Sequence, residues 1–502
     1  MSATITPMPT RAAGRAPAIA LAGLDAVAAD EAVRCLRSRG LTEARTCAAD
    51  ELATAIGDGA VAAAWIEADA ATAAALAPVA RAAATAGRPL VLLARPTRAR
   101  GHEPTAALAY LRAHGAALCV EPDAWLEAVC LVARHGVPEG PRAAVIAGGG
   151  SWLAVAASIP GGDDDPRRPA LASSAETLAP ADVALVDAAR WRELDAVVAA
   201  AGDAPADGGP RSIRAGTGAL LVPVCARPEL AAGGPTTALW GLRPALAAIT
   251  AVGQAAARAR AGLGPATRTA RGELEVDEER LERQLARLGP ADLRLGDHET
   301  KVLLAAYGVP ITRQAVATTA SAALRIARKA GFPVDIKPWG ADVAGERAGC
   351  PVERGVATAA DVRRAYVSVL GLGAAAAHGE HDDGAVIVRE AAPRGREVAA
   401  TIAPLGALGW TVVLEVPGHP PAAAPAPLRV ADAAALAQAL VATRAGDDEP
   451  DRTALANVLR RASHLAVDHA HRIARLELGV IVVGGKGERT VVVDAATTLR
   501  PR

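Results

Sequence analysis

Aromatic side chains are scarce in this 502-residue chain, where seven Trp, three Tyr and one Phe make up 2% of the residues. Proteins that bind single-stranded nucleic acid stack bases on aromatic rings, so this scarcity argues against that class. The formal net charge is zero, with 54 basic and 54 acidic residues, which argues against a general binder of nucleic acid or anionic membranes. The expected partners are small molecules or other proteins.

Paired cysteines and long apolar runs are missing as well. The six cysteines lie far apart in the chain, a pattern that fits neither a zinc site nor a disulfide framework and favours a reducing compartment. No uninterrupted apolar run reaches about 18 residues, the length that predicts a membrane-spanning helix. Arg11 and Arg15 are not followed by the apolar segment of a signal peptide. The sequence therefore predicts a cytoplasmic protein, free of the membrane, with a disordered start at residues 1–16.

Hydrophobic residues are abundant, at 51% of the chain, and its length is enough for about two to four domains. Between residues 17 and 138, short apolar runs alternate with alanine-rich helical segments. This alternation is typical of a parallel sheet with helical crossovers, so we expect a flavodoxin-like or Rossmann-like layer. The expected strands are 18–22, 61–66, 89–93 and 117–120.

A second unit is expected at residues 139–262. Its first strand, 143–147, runs into Gly148, Gly149 and Gly150, after which a helix begins. This arrangement either presents backbone N–H groups and a helix N-terminus to an anion, or forms an ordinary tight turn. Further strands are expected at 183–186 and 219–224, and a closing helix at 246–260.

A charge-rich linker is expected at residues 263–294, followed by a third unit at 295–502. From Glu299 the chain alternates helices, turns and strands up to Lys337. A lysine at the end of a strand either meets phosphate in a cleft or is merely exposed. Later strands are expected at 385–389, 397–402 and 410–414, helices at 360–370, 431–442 and 452–468, and a hairpin at 476–494.

Three short motifs give this third unit a family resemblance: Y-G-V-P at 307–310, G-F-P-V-D-I-K at 331–337 and V-V-D-A at 492–495. Their order resembles the ATP-grasp domain of the NDP-forming acyl-CoA synthetases, relatives of succinyl-CoA synthetase. Residues 87–93 and 142–153 resemble segments of the two flavodoxin-like domains of that family. The resemblance implies an α/β protein in which two flavodoxin-like domains precede an ATP-grasp domain. The family's N-terminal CoA-binding domain has no counterpart before residue 17, so we expect another chain to supply it or the protein to do without it.

The resemblance also implies site residues. The family joins a carboxylic acid to CoA through an acyl phosphate and a phosphohistidine, for which His102 is the candidate; a solvated surface histidine is the alternative. Gly148, Gly149 and Gly150 would face that phosphate. Lys337 and Glu397 would bind the nucleotide, and Glu477 and Asp494 would hold Mg²⁺. ATP or another NTP, an acid and CoA are the implied small molecules, and a CoA-binding subunit or a second copy of the chain is an implied partner.

Several positions depart from the family pattern. Gly479 stands where the family has a metal-binding asparagine, and residues 340–348 lack its phospho-acceptor histidine. Two hypotheses follow: an active NDP-forming acid–CoA ligase, or a non-catalytic paralogue that acts as a regulatory or scaffolding subunit. Convergence of Lys337, Glu477 and Asp494 on one cleft would favour the ligase, whereas a cleft filled by Trp339 or Arg347 would count against it.

Overall fold

The computed structural model describes the residues 17–95, 101–146, 175–178, 196–200, 220–225, 238–265, 274–287, 293–340, 345–376, 384–440 and 449–501. The chain divides into two units, Met1–Gly264 and Pro265–Arg502. None of the described helices combines the length and apolar character that a membrane crossing requires.

The first unit begins with a sheet of five parallel strands in the order β2-β1-β3-β4-β5. The strands are β1 (Ile19–Ala22), β2 (Ala44–Thr46), β3 (Val61–Glu67), β4 (Val91–Arg95) and β5 (Ala117–Cys119). The helices are α1 (Ala26–Ser38), α2 (Leu52–Gly57), α3 (Ala70–Thr85), α4 (Glu103–Ala113) and α5 (Pro122–Cys130). The four predicted strands are confirmed to within a few residues; the short edge strand β2 was not predicted.

Local signals in the sequence explain where the first helices start. The carboxylates of Asp25 and Asp69 accept hydrogen bonds from the backbone N–H groups of Ala28 and Thr72, both at 2.9 Å. Such capping satisfies N–H groups that the first helical turn leaves without partners. The apolar runs between the helices become buried strands, which is why the sheet forms the centre of the layer.

A second parallel sheet follows in the same unit, in the order β10-β9-β8-β6-β7. It consists of β6 (Ala143–Ile146), β7 (Ala175–Leu178), β8 (Ala196–Ala200), β9 (Leu220–Cys225) and β10 (Leu239–Trp240), and α6 (Leu242–Ala261) follows it. The strands predicted at 143–147 and 219–224 and the helix at 246–260 are present. The strand predicted at 183–186 and the glycines at 148–150 lie outside the described residues.

One buried core and one ion pair connect the two sheets. Apolar residues of both sheets, of α5 and of α6 belong to a single buried cluster. The guanidinium of Arg39, after α1, lies 2.6 Å from a carboxylate oxygen of Glu127 in α5 and 3.5 Å from the ring centroid of Trp240 in β10. The other oxygen of Glu127 accepts the backbone N–H of Trp240 at 3.0 Å. Arg39 and Glu127 therefore link the helices of the first sheet to the last strand of the second.

The second unit contains an antiparallel sheet in the order β12-β15-β13-β14. Its strands are β12 (Gln314–Ala317), β13 (Val334–Pro338), β14 (Glu353–Val356) and β15 (Val386–Glu390), and α9 (Ala320–Ala330) and α10 (Ala359–Ala376) pack on it. The helix and strand predicted to lead up to Lys337 are confirmed as α9 and β13.

A larger antiparallel sheet in this unit has the order β11-β20-β19-β16-β17-β18. Its strands are β11 (Arg294–Leu295), β16 (Arg396–Pro404), β17 (Trp410–Glu415), β18 (Ala422–Pro425), β19 (Ile473–Val483) and β20 (Val491–Leu499). The helices of this part are α7 (Glu278–Ala286), α8 (Asp297–Ala306), α11 (Val430–Ala437) and α12 (Arg452–Asp468). The hairpin predicted at 476–494 is the pair of β19 and β20.

The two sheets of the second unit meet beside β20. Helix α8 ends before Gly308, whose φ of +67° is the left-handed conformation predicted for it. The chain then passes β20, where Ile311 forms a bridge with Val492, and continues into β12. Polar side chains of α8, β13 and β15 converge on β20, at Val493 and Asp494.

Candidate functional site

Lys337 lies in a buried strand, β13, with only 3% of its surface exposed. Its ammonium nitrogen Nζ is 2.8 Å from Oδ1 of Asp494, 3.0 Å from Oδ2 of Asp297 and 3.4 Å from Oε1 of Glu346. Burial alone would lower the pKa of Lys337, but Asp297 and Asp494 outweigh burial and hold that pKa above its usual range. Lys337 is therefore a buried, permanently charged group.

Arg389 lies beside Lys337 in the neighbouring strand β15 and is fully buried. The antiparallel register places it opposite Asp335, two residues before Lys337 on the same face of β13. Its Nη2 donates to Oδ2 of Asp335 at 3.1 Å, and its Nη1 donates to the carbonyl oxygen of Val493 at 2.8 Å and to the carboxylate of Glu346. Strand alternation thus brings two cations to the same side of the sheet.

Asp297, in the first turn of α8, connects Lys337 to a second buried lysine. Its Oδ2 lies between Nζ of Lys337 and Nζ of Lys301, at 3.0 and 3.1 Å, and its Oδ1 accepts the N–H of Ala495 at 2.9 Å. Burial would raise the pKa of Asp297, but the two ammonium groups outweigh burial and lower that pKa to about 2. For Lys301 burial prevails and lowers the pKa to about 8.

Glu346 lies where three cations meet. Besides Lys337 and Arg389, it pairs with Nη2 of Arg354 at 2.7 Å, and its side chain is 2% exposed. Burial would raise the pKa of Glu346, yet Arg389, Lys337 and Arg354 lower it. The backbone N–H of Glu346 also donates to Oδ2 of Asp494, at 3.0 Å.

We call this set of buried charges the Lys337 cluster. Its members are Lys301, Lys337 and Arg389 as cations and Asp297, Asp335, Glu346 and Asp494 as carboxylates. Three positive charges face four negative ones, and the half-exposed Arg354 adds a fourth cation at the edge. Such a cluster is electrically balanced, and its cations become available to another anion only when a carboxylate moves away.

Two glycines leave the room that Asp494 fills. A Cβ atom on Gly479 would lie 2.6 Å from Oδ2 of Asp494, and one on Gly345 would lie 3.0 Å from the same oxygen. Either distance is shorter than ordinary van der Waals contact. The carboxylate of Asp494 is thus enclosed by Gly345, Gly479, Lys337 and the N–H of Glu346.

The residues around Asp494 do not fit a Mg²⁺ ion in this arrangement. Mg²⁺ requires close to octahedral oxygen coordination, and both oxygens of Asp494 already accept hydrogen bonds. Gly479 offers no side chain. In the part of the chain that the structure describes, no group of three His, Cys, Asp or Glu side chains is arranged for a metal ion.

Two other predicted site residues lie on the large sheet. Glu477, in β19, forms an ion pair with Arg475 at 2.8 Å, and its side chain is 36% exposed. Among the described residues, no hydrogen bond or ion pair joins Glu477 to Asp494. Glu397 is exposed in β16, opposite Val482. Lys337 and Asp494 therefore converge, and the predicted roles of Glu477 and Glu397 stay predictions.

Trp339 and Arg347, either of which would count against the ligase by filling the cleft, do not belong to the cluster. Trp339 donates its indole N–H to Glu299 at 2.9 Å, and Arg347 pairs with Glu415 on the surface at 2.7 Å. Glu346 lies between the cations instead.

His102 is in the first unit, directly before the N-terminus of the 11-residue helix α4. Its side chain is half-buried. The position at a helix N-terminus agrees with the expected setting of a phosphorylated imidazole, and the role itself stays a prediction. Gly148, Gly149 and Gly150 lie outside the described residues.

Sequence reasoning found Lys337 and Asp494 but missed Asp297, Asp335 and Arg389. One signal was available: β13 carries Asp335 and Lys337 at alternate positions of an otherwise apolar run, and in β15 Arg389 follows three apolar residues. Charges on a single face of a buried strand need partners, so they indicate a buried ion cluster. Glu346 gave no comparable signal, because it begins a 3-10 helix of only three residues, Glu346–Ala348, which is too short for a periodic pattern.

Both antiparallel sheets and the Lys337 cluster lie in one segment of the chain, and this segment defines the class of domain. Residues 287–499 match a family model described as an ATP-grasp domain. The prediction of an ATP-grasp domain in this part of the chain is confirmed.

Solved structures provide a second comparison. The dinucleotide-forming acetyl-coenzyme A synthetase 1 of Ca. Korarchaeum cryptofilum, in complex with coenzyme A, Ca-AMPCP and HgCl+, is 24% identical with a TM-score of 0.38; the match covers 44% of this chain and 99% of that chain. A protein of Pyrococcus horikoshii OT3 is 21% identical with a TM-score of 0.38, over 45% of this chain and 99% of that one. No curated protein matches the sequence.

Proposed function

We propose that the protein is an acid–CoA ligase of the NDP-forming type. One observation carries the proposal: two five-stranded parallel sheets precede the ATP-grasp domain, and each has the strand order 2-1-3-4-5 when its strands are numbered from its own start. That order is the flavodoxin-like one. We therefore propose two flavodoxin-like domains, residues 17–138 and 139–262, a linker at 263–294 and the ATP-grasp domain at 295–502.

The proposed reaction uses ATP, a carboxylic acid and CoA. His102 attacks the γ-phosphorus of ATP, releasing ADP, and passes the phosphoryl group to the carboxylate of the acid. The CoA thiolate then attacks the carbonyl carbon of the acyl phosphate, and inorganic phosphate leaves. Helix α4 would stabilise the phosphorylated imidazole with backbone N–H groups, and Gly148, Gly149 and Gly150 are proposed to face the same phosphate.

The nucleotide would bind at the Lys337 cluster. Lys337 and Arg389 carry the charges that phosphate oxygens require, provided that Glu346 moves aside. Glu397 is proposed to contact the nucleotide. The family pattern places Mg²⁺ at Glu477 and Asp494, but the residues present here do not fit the ion.

Phosphorylation of His102 is the decisive test. The full chain, with and without a CoA-binding subunit, is incubated with γ-labelled ATP and Mg²⁺, and acid-labile label is measured. The ligase requires label that His102→Asn removes and that His471→Asn, a change at an exposed histidine, retains. Absence of label from the wild-type chain when the partner is present would disprove the ligase.

A second candidate function has its own support. Glu346 neutralises Lys337 and Arg389, and Gly479 leaves the metal position without a ligand. These features favour a non-catalytic paralogue, a regulatory or scaffolding subunit that binds a nucleotide, a CoA ester or an active homologue. Calorimetric titration with ATP, GTP and CoA tests it: affinities no tighter than millimolar, together with no co-purifying protein, would count against this role.

For either function we propose a cytoplasmic location. Cys35, Cys47, Cys119, Cys130 and Cys350 are free thiols, which agrees with a reducing compartment. A homo-oligomer or a separate CoA-binding subunit is the proposed assembly.

A further inference from the structure

A cavity of about 250 Å³ adjoins the Lys337 cluster among α7, α8 and β12. The ionisable side chains among the described residues that line it are all basic: Arg280, His298, Lys301 and Arg313. Lys301 is thus shared by the cavity and the Lys337 cluster, and the described lining residues include no carboxylate.

The amide of Gln314 is held with its nitrogen turned away from Lys301. An ammonium group can only donate hydrogen bonds, so the amide oxygen must face Nζ of Lys301, which lies 2.8 Å from it. The amide nitrogen Nε2 is shielded from solvent and has no partner among the described residues. Gln314 lines the cavity, where an acceptor could satisfy this donor.

Two further groups at the cavity also lack partners. Nδ1 of His298 is buried without a hydrogen bond in the described part of the chain. The half-buried Arg280 forms no side-chain hydrogen bond or ion pair there either, although its neighbour Arg283 pairs with Glu279 at 2.8 Å. Buried or half-buried polar nitrogens normally have partners, so three of them around one cavity indicate a missing ligand. The side chains of Arg280 and Gln314 present donors, and Nδ1 of His298 is a donor in the tautomer that carries its proton there.

Other cavity residues limit what the acceptor can be. Arg313 forms an ion pair with Glu390 at 2.7 Å, and its side chain is 70% exposed, so it lies at the open side of the cavity. Val302 and Ile311 supply apolar surface. Lys301 already has four acceptors, among them the carbonyl oxygen of Val493 at 2.6 Å, and contributes charge without needing a new partner.

We propose that this cavity binds a small oxyanion, either inorganic phosphate or a short-chain carboxylate. Arg280 presents a planar fork of donors to the oxygens, while Gln314 and His298 each donate one hydrogen bond. The volume suits an anion of a few heavy atoms and excludes a nucleotide. This inference is independent of ligase activity, because it concerns donors outside the nucleotide site.

Calorimetric titration of the full chain with inorganic phosphate and with acetate, at constant ionic strength in chloride, tests the proposal. Saturable binding of one of them is expected, and Arg280→Gln should weaken it about tenfold. Gln314→Leu, which removes the amide donor, should also weaken it. The matched control Arg283→Gln removes the same charge from the same helix and should leave the affinity unchanged.

Two results would overturn the site: no saturable binding of either anion to the wild-type chain, or equal weakening by Arg280→Gln and Arg283→Gln. Comparison of phosphate with acetate identifies which anion the cavity prefers. The same variants are titrated with ATP, whose affinity Arg280→Gln should leave unchanged. A wild-type chain that binds phosphate or acetate but not ATP would contradict the proposed nucleotide site and leave the oxyanion site standing.

Discussion

Glu346 controls how much positive charge the Lys337 cluster can offer to a phosphate group. Its carboxylate accepts from Lys337, Arg389 and Arg354, which is the set of contacts that a bound phosphate would make. A carboxylate in that position competes with nucleotide for the same cations. The affinity for ATP should therefore depend on the charge at residue 346.

Glu346→Gln removes that charge. We expect the variant to bind ATP about tenfold more tightly than the wild-type chain, because Lys337 and Arg389 gain an unpaired charge. Without ATP its unfolding free energy should fall by about 3 kcal/mol, since a buried ion pair is broken. Calorimetric titration and urea unfolding measure the two effects. The control Glu353→Gln, at an exposed position of β14, should change neither, and unchanged ATP affinity in Glu346→Gln would refute the competition.

Gly479 should tolerate no side chain while Asp494 keeps its place. Gly479→Ala puts a Cβ atom 2.6 Å from Oδ2 of Asp494, so we expect a loss of about 2 kcal/mol in unfolding free energy. Gly371→Ala is the matched control, because a Cβ there meets nothing within 4 Å and α10 gains a better helix former. Urea unfolding should order the stabilities as Gly371→Ala, wild type, Gly479→Ala; a neutral Gly479→Ala would show that Asp494 moves freely.

We expect acid to lower the unfolding free energy of the second unit, because Asp297 becomes protonated. Its pKa is about 2 in the folded state and ordinarily 3.8, so the folded state holds the charged form more strongly. The resulting stabilisation is fully present above about pH 4. As the pH falls towards 2, the unfolding free energy decreases by about 2 kcal/mol. Urea unfolding at several pH values measures the slope. A carboxyl titration by NMR with an ordinary midpoint for Asp297 would contradict it.

Only some residues of the Lys337 cluster could be recognised from the sequence alone. Lys337 and Asp494 lie in short motifs with local signals, and both belong to the cluster. Arg389 and Asp297 owe their positions to strand register and to the meeting of a helix with β20, which are non-local. Glu346 lies in the three-residue 3-10 helix Glu346–Ala348, which is too short to show a periodic pattern.

At the scale of elements, Arg39 and Glu127 hold the two parallel sheets together through Trp240. Burial raises the pKa of Glu127 despite Arg39, so this carboxylate depends on its partner to stay charged. Removal of the guanidinium leaves a buried carboxylate with one backbone hydrogen bond. The Arg39–Glu127 pair should therefore contribute more to the unfolding free energy than a surface salt bridge does.

Arg39→Met should lower the unfolding free energy of the first unit by about 3 kcal/mol. The double variant Arg39→Met with Glu127→Met should recover part of the loss, because no unpaired carboxylate remains. Urea unfolding followed by tryptophan fluorescence measures both. Arg34→Met, on the exposed face of α1, is the control and should be neutral. A double variant less stable than Arg39→Met would mean that Glu127 contributes independently of Arg39.

Most long elements were predictable because their periodicity is strong. Strands β1, β3, β4, β13 and β15 to β17 and helices α6, α9 and α12 all correspond to predicted segments. Strands β2, β7, β8, β10, β11, β14 and β18 were not predicted. Three of them, β2, β14 and β18, are edge strands of three or four residues that are exposed or only partly buried, so their pairing depends on neighbouring strands rather than on their own pattern.

At the scale of the whole molecule, the chain forms two units with separate cores. We expect scanning calorimetry of the full chain to resolve two transitions. Arg39→Met should lower one of them and Gly479→Ala the other. ATP should raise only the transition that Gly479→Ala lowers. A single transition that shifts in all three experiments would mean that the units unfold together.

The space left by Gly345 and Gly479 also limits how this protein can change by mutation. An asparagine at residue 479 would complete the family's metal ligands, but it cannot enter while Asp494 occupies that space. Asp494 can move only if the ammonium of Lys337 and the backbone N–H of Glu346 release it. Because one of these bonds comes from the backbone, a side-chain substitution at residue 346 does not remove it. Gly479→Asn alone should therefore be harmful, and a metal site at this position requires the backbone at Glu346 to move as well.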